Sequence, residues 1–290
     1  MSNVTKWEEM PLTLRSATIG DAQVIFDFNR EIERSEQEQG NPRRFGDFSL
    51  AGITRILKSN AGLSTVVLDK AGRVVATALV SNFEFATELY VPGEEDVPMI
   101  KEASKLAVDP TYRKTELSFL LHSLRLYETL RFVPAEIAEN WLVFNVLSGN
   151  EPQLKLMHRL KAREEEKVSG ALAQLLRARE DAMDLSGQTI RTFLPTQETE
   201  LIAIQFLIHI AETRVLNRPY RNQVVVGGIA APLTLTHPVF DRHLHQLVRR
   251  ADELGVRYGV GLAYEAERLR LQYLAHLNGK AKYPRLFNSD

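Results

Sequence analysis

Two basic residues, Arg113 and Lys114, stand between an apolar run, Leu106-Ala107-Val108, and a segment with leucines at 117, 120, 121 and 124. That leucine spacing is one face of a helix, and Asp109-Pro110 ends the strand before it. Thr115, Glu116, Leu117 and Ser118 carry the turn into the helix. A strand, a basic turn and a helix N-terminus form an anion cradle, because the first helical turn has unpaired N–H groups and a partial positive charge. The chemistry this serves is the holding of a phosphate. Glu102 lies four residues before Leu106, and strand alternation predicts that the two share a face. A carboxylate there is either a base beside the cradle's ligand or a solvated acid between Lys101 and Lys105.

Other chemistries find less support. His243 and His245 are two apart on a predicted helix and so face opposite ways. With no His-x3-His on a helix and no cysteine, no metal site is expected. The lack of cysteine also removes disulfides and a thiol nucleophile, and it fits a reducing compartment. No phosphate-loop, dinucleotide or nucleophile-elbow motif occurs. Asn217-Arg-Pro-Tyr-Arg-Asn222 reads as a polar turn before a strand. A net charge of -1 supplies no field to draw nucleic acid or an anionic membrane. Met1 to Met10 is polar and acidic, unlike a signal peptide, and the most apolar run, Leu201 to Ile210, is too short to span a bilayer. The expectation is a soluble cytoplasmic protein with neither a nucleic-acid partner nor a membrane span.

The elements that must position the cradle read in order along the chain. Leu12 to Arg15 alternates as a strand, and Gly20-Asp21 starts a helix with Val24, Ile25, Phe28 and Ile32 on its apolar face. Residues 33–47 read as a charged loop, Leu50 to Leu57 as a second helix, and Leu63 to Leu68 and Arg73 to Ser81 as strands joined by a turn at Asp69 to Gly72. After an acidic loop over 84–98 come a strand over Lys101 to Val108, a long helix from Thr115 to near Arg131, a strand over Trp141 to Leu147 and a short helix over Glu151 to Leu160. Further on, helices are predicted over Val168 to Met183 and Glu198 to Val215. The second is apolar almost all round, so it is buried or sits at an interface, which leaves a homodimer open. Strands follow at Thr189 to Phe193, Gln223 to Val226, Ala231 to Leu235 and Val256 to Tyr264, with helices from Phe240 to Leu254 and from Glu265 to Leu277. Leu233-Thr-Leu-Thr-His-Pro-Val-Phe-Asp-Arg242 echoes Leu106 to Arg113, with a strand ending at proline and an aromatic two residues on. The echo is either a degenerate internal repeat or a generic strand–helix extension.

The order of elements and the Leu106 to Ser118 segment resemble the GNAT superfamily of N-acetyltransferases over residues 10–168. The resemblance implies an α/β (α+β) fold, a mixed sheet whose central strand pair splays apart. Residues 169–290 would be an α/β extension, or a second, degenerate GNAT-like unit in tandem. It implies that the backbone of Leu106, Ala107 and Val108 pairs with a pantetheine arm, that the Val108 N–H meets the oxyanion, and that Glu102 is the general base. The family's phosphate turn reads Arg/Gln-x-x-Gly-x-Gly/Ala. Here Arg113 matches, while Glu116 and Ser118 replace the glycines. Glycine lets backbone N–H groups approach a pyrophosphate, and an acid repels it by about 4 kcal/mol at ~4 Å in a surface-like dielectric. A single phosphodiester held by Arg113, Lys114 and Thr115 fits better. That is what the phosphopantetheine of an acyl carrier protein presents. The run Tyr112-Arg-Lys-Thr-Glu-Leu-Ser-Phe-Leu-Leu121 is similar to the turn of the N-acyl amino acid synthases, which use such carriers. Asn150 and Leu156 match the late motif, but Met157 stands where a tyrosine usually protonates the leaving thiolate. The implied function is N-acyl transfer from an acyl carrier protein or acyl-CoA to a primary amine of a small molecule, without a metal. The alternative is a GNAT-like binding protein that has lost its chemistry.

Overall fold

The computed structural model describes residues 12–40, 49–60, 62–82, 101–103, 105–113, 116–131, 142–165, 187–216, 223–226, 229–235 and 237–282. Strand β1 (Leu12–Ser16) leads into helices α1 (Ala22–Glu38) and α2 (Leu50–Ser59). Strands β2 (Thr65–Leu68), β3 (Val74–Ala78), β4 (Ser81–Asn82), β5 (Lys101–Glu102) and β6 (Leu106–Val108) follow, then helix α3 (Leu117–Leu130), strand β7 (Leu142–Leu147) and helix α4 (Glu151–Arg159). Strands β8 (Arg163–Glu164) and β9 (Ile190–Leu194), helix α5 (Gln197–Leu216), strands β10 (Gln223–Val226) and β11 (Ile229–Leu235), and helices α6 (Leu244–Glu253) and α7 (Val260–Lys282) complete the described chain. The strands form two sheets, ordered β10-β11-β1-β2-β3-β6 and β4-β5-β7-β9-β8. This is the mixed α/β architecture expected from the element order.

Helices α1 and α2 cover one face. Ile25, Phe28 and Ile32 pack with Ile53, Ile56 and Leu57 against Val66, Val74, Leu79 and Ala107. Helix α3 covers the other face, with Leu117, Leu120, Leu121 and Leu124 against Leu12, Leu14, Val67, Val75 and Val108. Helix α5 lies against α3. Ile204, Leu207 and Ala211 join the α3 cluster, and Ala203 joins a third cluster with Phe119, Phe144 and Met157. An all-round apolar helix is thereby buried within its own chain. Among the described residues no helix is long and apolar enough to cross a membrane.

The start of α1 is pinned by a charge. Asp21 accepts from the Thr18 backbone N–H at 2.7 Å and the Thr18 hydroxyl at 2.8 Å, and takes both ends of the Arg15 guanidinium at 2.6 and 2.8 Å. The Arg15 contact holds the Asp21 carboxyl down at about 2, below its ordinary 3.8. A depressed carboxylate stabilises the fold above its unfolded value, and that stability is lost as pH falls through the folded value. Wild type should therefore lose about 2 kcal/mol between about pH 4 and pH 2 that Asp21→Asn does not lose. Urea midpoints at stepped pH check this, and parallel curves for the two proteins would show the pair is not the cause.

Several elements differ from the sequence reading. Helix α1 runs into the predicted 33–47 loop as far as Glu38, because Glu36 is buried, at 1% exposure, against Arg113 rather than solvated. The strand predicted over 101–108 is two strands, interrupted at Lys105, whose φ is 22°. Of the strand predicted over 256–264, residues 256–259 have no regular structure and the rest is the start of α7. Leu262 and Ala266, four apart, face the core, and the Gly259 N–H donates to Glu212 Oε1 at 2.5 Å on α5. The predicted 84–98 loop and the 168–183 helix lie outside the described residues.

Residues 10–168 and 169–290 share a sheet and a core. Strand β11 runs parallel to β1, with Leu12 opposite Leu233, and β10 pairs outside it. Helices α5, α6 and α7 pack in the same cluster as α3. The echo between 106–113 and 233–242 has a local basis. Asp109 accepts from the Thr111 N–H at 2.9 Å and His237 from the Val239 N–H at 3.4 Å, each capping a proline-led 3-10 turn that buries an aromatic, Tyr112 or Phe240. After α6 the likeness ends, since a helix replaces the strand a repeat would need.

Candidate active site

The break between β5 and β6 is a β-bulge. Leu79 donates its N–H to the Lys105 carbonyl and Ser81 pairs with Glu102. Two steps on one strand therefore face three on the other, one residue too many. Upstream of the bulge, β5 runs parallel to β7, with Glu102 opposite Val143 and the Ala103 N–H bonded to the Val143 carbonyl at 2.9 Å. Downstream, β6 pairs with β3 and forms the edge of its sheet. The two strands expected to splay are thus joined over two residues and then part into different sheets.

The polarity of β6 follows from its register. Asp109 donates to Val75 at 2.9 Å and Lys105 accepts from Leu79 at 3.0 Å. Antiparallel pairing alternates, so Ala107 also bonds to β3, while Leu106 and Val108 turn their N–H and C=O groups away from it. These groups face the gap left by β7. A groove of about 400 Å³ opens there, lined by Leu106, Ala107, Val108, Ser118, Asn150 and Gln153 among others. Leu106 and Val108 therefore both offer an N–H, and Leu106 stands two residues nearer Glu102.

The turn after β6 is less electropositive than its sequence. Arg113 donates Nε to the Val108 carbonyl at 3.0 Å and pairs through Nη1 with buried Glu36. Glu116, at the head of α3, pairs with Arg159 at 2.8 Å, and the Arg159 guanidinium lies 4.2 Å from the centre of the Phe119 ring. The repulsion expected from Glu116 is thus largely met by Arg159 at the end of α4. Lys155, exposed on α4, adds a cation to the groove wall. Leu117 points into the core at 3% exposure, and Ser118 lines the groove. Lys114 and Thr115 lie outside the described residues. Asn150 caps α4, its Oδ1 accepting from the Gln153 N–H at 3.4 Å. Met157 is fully buried in the core.

Behind the groove runs a buried polar chain. Gln153 places its side-chain amide 2.6 Å from His122 Nε2, and Arg125 places Nε 3.0 Å and Nη2 2.5 Å from His122 Nδ1. An arginine can only donate, so Nδ1 accepts from Arg125. Burial first, and then the Arg125 charge, hold His122 well below 6.5, so the ring is neutral at physiological pH. Arg125 also reaches the Leu79 carbonyl at 3.5 Å. Burial disfavours its charge, and the charge of Glu102 restores part of it. Glu102 is 6% exposed and accepts from Asn145 Nδ2 at 3.0 Å.

The bulge corrects one sequence expectation. Glu102 does not share a face with Leu106. Its hydrogen bond is to Asn145, which alternates with Phe144 and Val146 of the α3–α4 core, so both polar groups lie on the opposite face. Leu106 packs toward α3 instead. The structure brings Leu106, Ala107, Val108, Arg113, Ser118 and Asn150 to one groove and sets Glu102 outside its wall, where the strands part. Sequence reasoning missed Glu36, Phe119, Asn145, Gln153 and Arg159. Their partners lie tens of residues away, so no local pattern marks them.

No family model and no curated protein matches the sequence. Among solved structures, the NatC complex bound to Gag peptide and CoA is 14% identical, over 64% of this chain and 98% of that one, with a TM-score of 0.44. Arabidopsis thaliana NAA60 in complex with acetyl-CoA is 12% identical over 63% and 96%, at 0.38. An acetyltransferase of GNAT family from Staphylococcus aureus Mu50 is 10% identical over 63% and 98%, at 0.39.

Proposed function

We propose that the protein transfers an acyl group from a phosphopantetheine thioester to a primary amine of a small molecule. The observation that carries this reading is the free edge of β6, whose Leu106 and Val108 N–H groups face a groove beside a buried carboxylate. An extended pantetheine amide chain can take the place of the missing strand on that edge. An N–H from Leu106 or Val108 would meet the carbonyl oxygen as it gains charge. The amine nitrogen attacks the thioester carbon, its proton passes to Glu102 directly or through a water, and the C–S bond breaks to release a thiolate. A thiolate needs no strong acid to leave, which suits a site with Met157 in place of a hydroxyl. A panel of primary amines, incubated with acyl-CoA and with acyl carrier protein, tests the reading by mass spectrometry of product and by thiol release. Amine-dependent release supports it. Tight pantetheine binding without turnover would favour the binding-protein reading, to which Met157 and the paired charges of the turn also point.

The carrier-bound donor is the preferred one in this reading. Arg113 and Arg159 are each matched to an acid, which suits one phosphodiester better than a pyrophosphate. Glu116→Gly frees Arg159 and removes a charge, so kcat/KM for acyl-CoA should rise about five- to tenfold relative to the carrier-bound donor. Matched acyl chains on the two donors measure this. A wild type that already prefers CoA strongly would show the donor assignment wrong.

A further inference from the structure

Three neighbouring strands, β5, β7 and β9, supply a directional chain of polar side chains. Thr192 lies directly across from Asn145 and its Oγ1 donates to Asn145 Oδ1 at 2.9 Å. Asn145 Nδ2 donates to Glu102 Oε1 at 3.0 Å. The direction is dictated by chemistry. An ionised carboxylate only accepts, so the amide turns its nitrogen to Glu102 and its oxygen to the threonine hydroxyl. Thr192 and Glu102 are both buried, so each contact is made away from competing water. We infer that Asn145, oriented by Thr192, is the positioning residue of Glu102. This inference rests on the acyl-transfer reading, in which Glu102 takes the amine proton.

A glutamate has three side-chain torsions and, left alone, samples several rotamers. The charge of Arg125 on α3 reaches the carboxylate. The Asn145 amide from β7 adds a directional bond to Oε1, and its second bond, accepted at Oδ1 from the Thr192 hydroxyl, holds the amide plane in place. The residues beside Asn145, Phe144 and Val146, pack the opposite face, so the Asn145 side chain can be changed without opening that core.

The test is a double-mutant cycle on amine-dependent thiol release. Asn145→Ala should lower kcat about tenfold with little change in the donor KM, and Thr192→Val should act in the same sense by about threefold. In a Glu102→Gln background Asn145→Ala should cost nothing further, because a residue acting through Glu102 has no base left to position. The Asn145 side-chain amide resonances should also move in Glu102→Gln and in Thr192→Val, a readout that needs no turnover. An equal loss in both backgrounds would mark Asn145 as structural and overturn the inference alone. A silent Glu102→Gln would overturn the base reading, and the positioning role with it. If Asn145→Ala fails to fold, Thr192→Val in the same cycle decides, with additivity counting against the inference.

Discussion

Glu102→Gln is expected to lower amine-dependent acyl transfer by about 10²- to 10⁴-fold at neutral pH, the usual cost of removing a general base. Glutamine keeps the length of the side chain and an oxygen to accept from Asn145 Nδ2, so the pairing of β5 with β4 and β7 survives. What it loses is basicity. A primary amine is mostly protonated near neutrality and must shed its proton to attack, so the loss should shrink at alkaline pH, where the amine is already neutral. The donor KM should hardly change, because Glu102 is not part of the groove wall. Initial rates from neutral to alkaline pH, at saturating donor, measure both points. Full activity at neutral pH would move the proton acceptor to bulk water, to the acids of residues 84–98 or to the C-terminal half.

The parts of the fold that were legible are those written in local chemistry. The Asp69 to Gly72 turn is one, with Asp69 accepting from the Ala71 and Arg73 N–H groups at 2.9 Å each and Gly72 at a φ of 78°. The leucine stripe of α3 is another, and so is the order of strands and helices through α4. The bulge was not legible. Its positive φ falls on a lysine, where sequence gives no warning, and one extra residue is enough to turn a side chain to the other face. The expectation that Glu102 shares a face with Leu106 was therefore inverted. The end of α1 was hidden for a related reason. Glu36 sits in a run of charges that reads as solvated, and only a partner 77 residues away, Arg113, brings it inside.

The groove was legible as a chain segment and illegible as an electrostatic surface. Leu106, Ala107, Val108 and Arg113 lie close together in sequence and gather at one place. The acid–base matching that sets the field there joins α1 to the turn after β6, and α3 to α4. Such pairs have no sequence signature, and their effect is to cancel a basic patch that the sequence advertises. The half-exposed Arg159–Glu116 pair contributes little to stability, about 0–1 kcal/mol. The weight of these pairs is in deciding which donor phosphate the turn accepts.

Arg125→Met should destabilise the protein by about 3–5 kcal/mol, the usual cost of removing one member of a buried charged group. Methionine fills most of the arginine stem, so the loss does not come from a cavity. It comes from three polar partners left behind. His122 Nδ1 loses its donor, the Leu79 carbonyl loses a weak one at 3.5 Å, and buried Glu102 loses a cation whose field reaches it. Urea unfolding at neutral pH measures the loss. Adding Glu102→Gln should return a part of it, since a neutral amide no longer needs the cation, whereas an unrelated core defect would stay uncorrected. A loss under about 1 kcal/mol in Arg125→Met would mean that water or neighbouring groups take over all three partners. The polar chain from Gln153 through His122 to Glu102 would then be a permissive feature of the core rather than the support of the candidate base.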